Sequence, residues 1–592
     1  MSGRSPRGLG ASTDPAPPPF DRYPEPPLDR RLDRRDFLRR LGVLTSAASA
    51  GALAPVWDAR PAAAAPVPTV RIPRQRVQET DPADLTVLEA ASLMREGGVS
   101  PLEIARACLS RITAHDPLLR AFNRVEEEAL LEGARAATEA LGRGAQLPPL
   151  HGIPLALKDN FFTAGVPTTA NSHIYRDFVP EYDAEAWRRL RGAGALLVGK
   201  TQMGPLATSR ATTPDGEVTT RNAWAPHDAR VSPGGSSSGS ATAVAARLAP
   251  GATGTQTGGS ITNPADAQGL TGIKPTMGRV SLRGVIPLTY TRDHPGPLAR
   301  DARDAALLLS LMAGPDPADP RTLGQPPLPD LLGATLPAVG SGGSPRLRWP
   351  TRVGVFPDYL SPPAGPPPEP PGPDADPEEQ AAWRFRTEAW ERRREAYAPR
   401  AEFLRTLGEL GAEVVELPYP QDWSVLTGGD FNNARLPERS EPFLEHLRRD
   451  VRLFGVSLSP WINGMLLSGT EYLTGQRARL LLASRILDGI FGRCDVVALE
   501  SPIPFDIVGL PLISFPVGMT GSGPAARPVG ALLGGMPWAE DRLLAVAGAY
   551  QAVTDWHRRR PPDPESGVDP VPGRSGEAPL RLDVLDVLES GE

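Results

Sequence analysis

Between residues 151 and 310 the chain alternates short apolar runs with glycine-rich turns and helical segments. Apolar runs of this length, bounded by turn residues, read as buried strands. Buried strands interleaved with helices imply an α/β sandwich. At 592 residues the chain is long enough to bury a large core.

Two segments inside this region carry chemistry. They are Pro233-Gly-Gly-Ser-Ser-Ser-Gly-Ser240 and Gly254-Thr-Gln-Thr-Gly-Gly-Ser-Ile261, and they supply two glycine-flanked serines, Ser236 and Ser260. Upstream, Lys158 lies in the apolar run Gly152-Ile-Pro-Leu-Ala-Leu-Lys-Asp-Asn160. A serine hydroxyl is a weak nucleophile until a base takes its proton. Lysine is such a base only when neutral, and a solvated ammonium titrates at about 10.4. Burial among apolar side chains lowers that value. Lys158 follows Ile153, Leu155, Ala156 and Leu157 and precedes Phe161 and Phe162, a setting that suits a desolvated amine. Each feature alone has a plainer reading, since a lysine ending a strand commonly snorkels to solvent and a Gly/Ser run is commonly a flexible loop. Read jointly, the three residues describe a serine hydrolase with lysine, not histidine, as its base.

The patterns around Lys158, Ser236 and Ser260 resemble those of the amidase signature family. The resemblance extends through Gly272-Ile-Lys-Pro-Thr-Met-Gly-Arg-Val-Ser281 and Asp293-His-Pro-Gly-Pro-Leu-Ala-Arg300, and resumes at Gly509-Leu-Pro-Leu-Ile-Ser-Phe-Pro-Val-Gly518 and Arg527-Pro-Val-Gly530. It implies an α/β/α sandwich around a central mixed β-sheet. It implies that the lysine acts through a bridging serine held by a cis peptide, which on this chain makes Ser236 the bridge and Gly235–Ser236 the cis bond. Ser260 is then the nucleophile. Thr257, Gly258 and Gly259 precede it with backbone N–H groups, and such a run forms an oxyanion hole. The implied reaction is hydrolysis of a carboxylic amide to an acid plus ammonia or amine through an acyl-enzyme, with a small-molecule amide as substrate. No metal or organic cofactor is implied, and no Cys/His cluster has metal-ligand spacing. Ser260-Ile-Thr-Asn-Pro264 and Asp293-His-Pro-Gly-Pro297 look somewhat similar to members that hydrolyse peptide amides and aryl amides.

The chain departs from the family at two positions. The family commonly has an acidic residue where Gln256 stands and an arginine where Thr262 stands, and the two can pair. Losing one partner of a partly buried pair is costly, while replacing both can be nearly neutral. The paired change therefore reads as a subfamily variant.

Other readings compete. Gly235-Ser-Ser-Ser-Gly239 matches a nucleophile elbow, which would make Ser237 the nucleophile of a Ser-His-acid esterase with His294, His446 or His557 downstream. Gly194-Ala-Leu-Leu-Val-Gly-Lys-Thr201 matches a P-loop, but Ala195–Val198 is itself strand-like and Pro205 falls where a helix should start. An exported binding protein on a degenerate amidase scaffold is a non-enzymatic reading; retention of Lys158, Ser236 and Ser260 opposes it. Within the family, the transamidating subunit that generates ammonia for tRNA-linked substrates is a further option.

The rest of the chain sets organisation. Residues 1–33 are rich in proline and charge and read as disordered. Asp33-Arg-Arg-Asp-Phe-Leu-Arg39, the uncharged stretch from Leu41 to Trp57 and the small residues Ala62-Ala-Ala-Ala65 resemble a twin-arginine export signal, so residues 1–65 are expected to direct export. Its Ala, Gly and Ser content makes a poor membrane span. The catalytic domain is expected over residues 80–560, with a proline-rich insertion around 361–377 and a proline-rich tail over 561–592. Thr86-Val-Leu-Glu89 and Ser100-Pro-Leu-Glu103 fit capping boxes at the head of this domain. Residues 378–411 read as a charged helix, and Val414–Leu417 and Val496–Leu499 as later strands. A net charge of −6 opposes nucleic-acid binding. Two cysteines, Cys108 and Cys494, cannot build a disulfide framework.

Overall fold

The N-terminal helices begin where their capping chemistry puts them. In the computed structural model of the chain, Thr86 caps α1 (Val87–Glu96) and Ser100 caps α2 (Pro101–Leu119). In each, the cap hydroxyl accepts the backbone N–H three residues on, and the glutamate there accepts the cap's own N–H. Gly97, at φ 74°, then ends α1. The structure describes residues 70–564 apart from 76, 78, 144–146, 341–342, 364, 373–376 and 522–525. These lie in one unit, Ala65–Glu592. The twin-arginine segment, the Ala62–Ala65 stretch and residues 565–592 of the tail fall outside the described residues.

Further helices are α3 (Glu127–Gly142), α4 (Glu185–Gly192), α5 (Ser238–Ala245), α6 (Thr262–Gln268), α7 (Ala302–Met312), α8 (Pro377–Glu409), α9 (Gly469–Gly489), α10 (Ile503–Val508) and α11 (Glu540–Gln551). Apart from a two-stranded pair, Ala338–Val339 with Pro345–Arg346, the strands among the described residues are β1 (Phe122–Val125), β2 (Pro154–Lys158), β3 (Leu196–Thr201), β4 (Gly251–Gln256), β5 (Thr271–Lys274), β6 (His294–Ala299), β7 (Thr351–Val355), β8 (Ala412–Glu416), β9 (Val496–Leu499), β10 (Leu512–Thr520) and β11 (Arg527–Gly535). All eleven join one sheet in the order β1-β3-β2-β4-β6-β5-β10-β11-β9-β7-β8. β2 runs parallel to β3 and β4, and β7 parallel to β8 and β9. The remaining neighbours are antiparallel, so the sheet is mixed. The expected later strands are β8 and β9, and the charged helix is α8. Residues 361–372 of the proline-rich insertion, apart from 364, hold neither helix nor strand, and Pro377 opens α8.

Alternation along the strands sorts side chains into two layers. Leu155 and Leu157 of β2 pack into a core with α1, α4, α7 and α11. Ala156 faces the other way, into a core shared with α2, α3 and α5. Lys158, two residues beyond Ala156, follows the same face and so reaches the loop that leads into α5.

The P-loop-like segment is a strand. Leu196–Thr201 forms β3, and the Lys200 amine is buried, donating to the Thr163 and Thr168 hydroxyls at 3.0 Å each and lying 3.6 Å from Asp159 Oδ1. That lysine serves the core and has no route to a phosphate. Both cysteines are buried and free.

Candidate active site

The loop into α5 is fixed by backbone geometry that only certain residues permit. Gly234 sits at φ 76°, and a Cβ there would lie 2.4 Å from Pro264 Cα. The Gly235–Ser236 peptide is cis. The Ser236 carbonyl accepts the Gly204 N–H at 3.1 Å. The Ser238 hydroxyl donates to the Gly234 carbonyl at 2.6 Å and accepts the Ala211 N–H at 2.9 Å. At the head of α5, Gly239 donates its N–H to the Gln202 carbonyl beside β3.

This path presents Ser236 Oγ 2.9 Å from Lys158 Nζ. The amine also contacts Thr255 Oγ1 at 2.8 Å and the Thr255 carbonyl at 3.3 Å. Lys158 is 0% exposed. Burial pulls its pKa down to about 7, and the charge of Asp293 opposes that shift. A neutral amine has two N–H donors and one lone pair. Donation to the two Thr255 oxygens leaves the lone pair for the Ser236 O–H. The amine is thus arranged to take a proton from a serine.

Ser260 stands between β4 and α6, 8% exposed, and its Oγ has no hydrogen-bond partner among the described residues. The Ser237 hydroxyl, the alternative nucleophile, is fully buried and donates to the Ser260 carbonyl at 2.5 Å. None of the candidate histidines bonds to it. His294 is buried, holds Nδ1 2.6 Å from the Arg292 carbonyl, and is kept well below the usual imidazole range by burial. Ser237 therefore supports the backbone of Ser260, and the elbow reading lacks its base.

The three expected oxyanion donors, Thr257, Gly258 and Gly259, differ in what their N–H groups meet. The N–H groups of Thr257 and Gly258 have no acceptor among the described residues, and neither has that of Ser260 itself. The Gly259 N–H, by contrast, donates to Asp506 Oδ2 at 2.8 Å. A buried carboxylate holds that donor, so the N–H groups left without an acceptor around Ser260 are those of Thr257, Gly258 and Ser260.

Two carboxylates not singled out in the sequence shape the site. Asp293 accepts the Thr257 hydroxyl with one oxygen, and the Leu288 and Thr289 N–H groups with the other, at 2.8 and 2.9 Å. Asp506 reaches the loop that carries Ser260 from α10. Gln256 and Thr262, the two departures, touch each other: Gln256 Oε1 accepts the Thr262 hydroxyl at 3.2 Å and the Ile261 and Thr262 N–H groups at 2.9 Å each. Among the described residues no group of three or more His, Cys, Asp or Glu is placed to hold a metal.

Comparison with known proteins fits this geometry. Residues 103–337 match the family model for amidases. The chain is 33% identical over 525 residues to one subunit of the glutamyl-tRNA(Gln) amidotransferase of Chloroflexus aggregans, covering 81% of this chain and 98% of that one. The chain belongs to the amidase signature family. This amidase is likewise 35% identical to the corresponding subunit of Myxococcus xanthus, over 81% of its own length and 99% of the relative's. Its fold matches the crystal structure of the peptide amidase of Stenotrophomonas maltophilia with a TM-score of 0.63 and 28% identity, over 83% of this chain and 99% of the other. It is an enzyme of the amide C–N hydrolase type. No helix among the described residues is long and apolar enough to cross a membrane.

Proposed function

We propose that this amidase hydrolyses a peptide or aryl carboxylic amide with Lys158, Ser236 and Ser260 as its catalytic residues. The observation that carries the reading is the 2.9 Å contact of a fully buried Lys158 amine with Ser236 Oγ. Ser260 Oγ bonds to the amide carbonyl carbon while its proton passes to Ser236 and the Ser236 proton passes to Lys158. The Thr257, Gly258 and Ser260 N–H groups take the charge that develops on the carbonyl oxygen. The C–N bond then breaks, and the relay returns the proton to the leaving amine. Water, deprotonated by the same relay, cleaves the acyl-enzyme and frees Ser260.

The 28% identity to a peptide amidase supports an amide of peptide type. The test is release of ammonia and amine from a panel of peptide amides, aryl amides and simple amides. The pH profile of the best substrate carries the mechanistic part. The base is neutral lysine, which is the major form above a pKa of about 7. Activity should therefore rise with pH through about 7 and level off above it. An acidic optimum would contradict a neutral-lysine base.

A second reading, one component of an amidotransferase, is favoured by the 33% identity to such a protein. It predicts that glutamine, run beside the panel, releases ammonia faster than any amide in it.

The twin arginines Arg34 and Arg35 support export of this enzyme. Expressed in a host with a twin-arginine pathway, the chain should appear outside the cytoplasm shortened near Ala65. The Arg34→Lys/Arg35→Lys form should stay inside at full length. Equal distribution of the two forms would overturn export by this route.

A further inference from the structure

The family's usual acid and arginine beside the nucleophile are both missing from the loop of this chain, at Gln256 and Thr262. The structure contains an acid and a cation at the same place, drawn from elsewhere. Asp506 comes from α10 and Lys274 from the end of β5, with Lys274 Nζ 3.3 Å from Asp506 Oδ1. Both are 0% exposed, as is Gln256.

We propose that Asp506 is the positioning acid of the nucleophile loop, acting on both sides of Ser260. On the upstream side it accepts the Gly259 N–H directly, at 2.8 Å. On the downstream side it acts through Gln256. Its two oxygens accept Gln256 Nε2 at 2.9 and 3.1 Å. That fixes which end of the amide faces the loop, so that Gln256 Oε1 accepts the Ile261 and Thr262 N–H groups. Three peptide units around Ser260 are thereby held to one carboxylate, and the unpaired N–H groups of Thr257, Gly258 and Ser260 are left aimed elsewhere. Charge-assisted bonds in a dry setting are strong and directional, which is what an oxyanion hole requires of its supports. Lys274 neutralises the buried carboxylate. The arrangement is an exchange: the carboxylate has moved from the loop to α10, and an amide stands in the loop.

The exchange can be reversed without changing charge or donor count. In Asp506→Asn/Gln256→Glu the new glutamate accepts the Ile261 and Thr262 N–H groups. The new asparagine donates to that glutamate and accepts the Gly259 N–H. Asp506→Asn alone leaves two amides facing each other with no carboxylate in the cluster, and Lys274 keeps its contact with the Phe505 carbonyl at 3.3 Å.

The proposal rests on Ser260 being the nucleophile, and a fluorophosphonate probe tests both without knowledge of the substrate. On the full chain, the maximal labelling rate kinact and the binding constant KI are measured, and the labelled residue is read by mass spectrometry. Asp506→Asn should lower kinact about 100-fold with KI within about threefold, the pattern of a misaimed oxyanion hole and not of a lost binding contact. The double variant should recover to within about tenfold of the parent. Labelling of Asp506→Asn at the parental rate overturns the proposal, and so does a double variant as slow as the single. Should Asp506→Asn fail to fold, the double variant must fold and label near the parental rate; otherwise the proposal fails. Parental labelling at a residue other than Ser260 would instead sink the site reading.

Discussion

Ser260→Ala is expected to lower kcat/KM by about 10⁴- to 10⁶-fold on every amide the parent turns over, with the fold intact. The side chain is small, and its hydroxyl makes no hydrogen bond to a described residue, so its loss removes chemistry without removing a contact. The backbone around it is held independently, by Ser237 on the Ser260 carbonyl and by Asp506 and Gln256 on the flanking N–H groups. Substrate binding should persist in this variant. Residual turnover should be that of the oxyanion donors acting on water. Turnover within tenfold of the parent, measured as ammonia release, would mean that another group forms the acyl-enzyme.

Lys158→Met is expected to cost about 10⁴-fold in kcat/KM, with a smaller effect on KM. Methionine approximates the length and apolar stem of lysine but has no lone pair for a serine proton. Ser236 then keeps its position through its carbonyl and the packing of α5, but its proton has nowhere to go. The amine is fully buried and its pKa is already drawn down to about 7, so removal of the charge should not unfold the protein. The thermal midpoint is expected to hold or rise, while the Thr255 hydroxyl keeps its Asn160 contact at 3.1 Å. Groups that act as a unit are not additive, so Lys158→Met combined with Ser260→Ala should be no worse than Ser260→Ala alone. A Lys158→Met enzyme that retains a tenth of parental activity would remove lysine from the relay.

How far the sequence carried these expectations can be traced residue by residue. The capping boxes at Thr86 and Ser100 are local chemistry, and both helices start there. Lys158 was legible because an unbroken apolar run from Ile153 to Leu157 leads into it and Phe161 and Phe162 follow, the setting of a buried strand. The P-loop match was separable for the same reason: Ala195–Val198 already looked like the strand that β3 is. What could not be read is whatever depends on the order of strands in the sheet. Asp506 lies 250 residues from Gln256, and they meet because β10, which follows α10, pairs with β5. No local pattern signals that pairing. The bond from the Gly259 N–H to Asp506 was hidden for the same reason. Counting non-proline residues before Ser260 gives the number of N–H donors, but their direction depends on the turn at Gly259, φ 88°, and on an acceptor from a distant helix. One signal was available: a missing acid at 256 and a missing arginine at 262 ask for substitutes, and Asp506 stands just upstream of the matching segment at Gly509.

The most direct test of a lysine-activated Ser260 is the rate of fluorophosphonate labelling between pH 5 and 9, with the modified residue identified. The account predicts a single adduct on Ser260, a rate that rises through a midpoint of about 7, and loss of labelling in Lys158→Met. An adduct on Ser237, or a rate indifferent to Lys158, would contradict it.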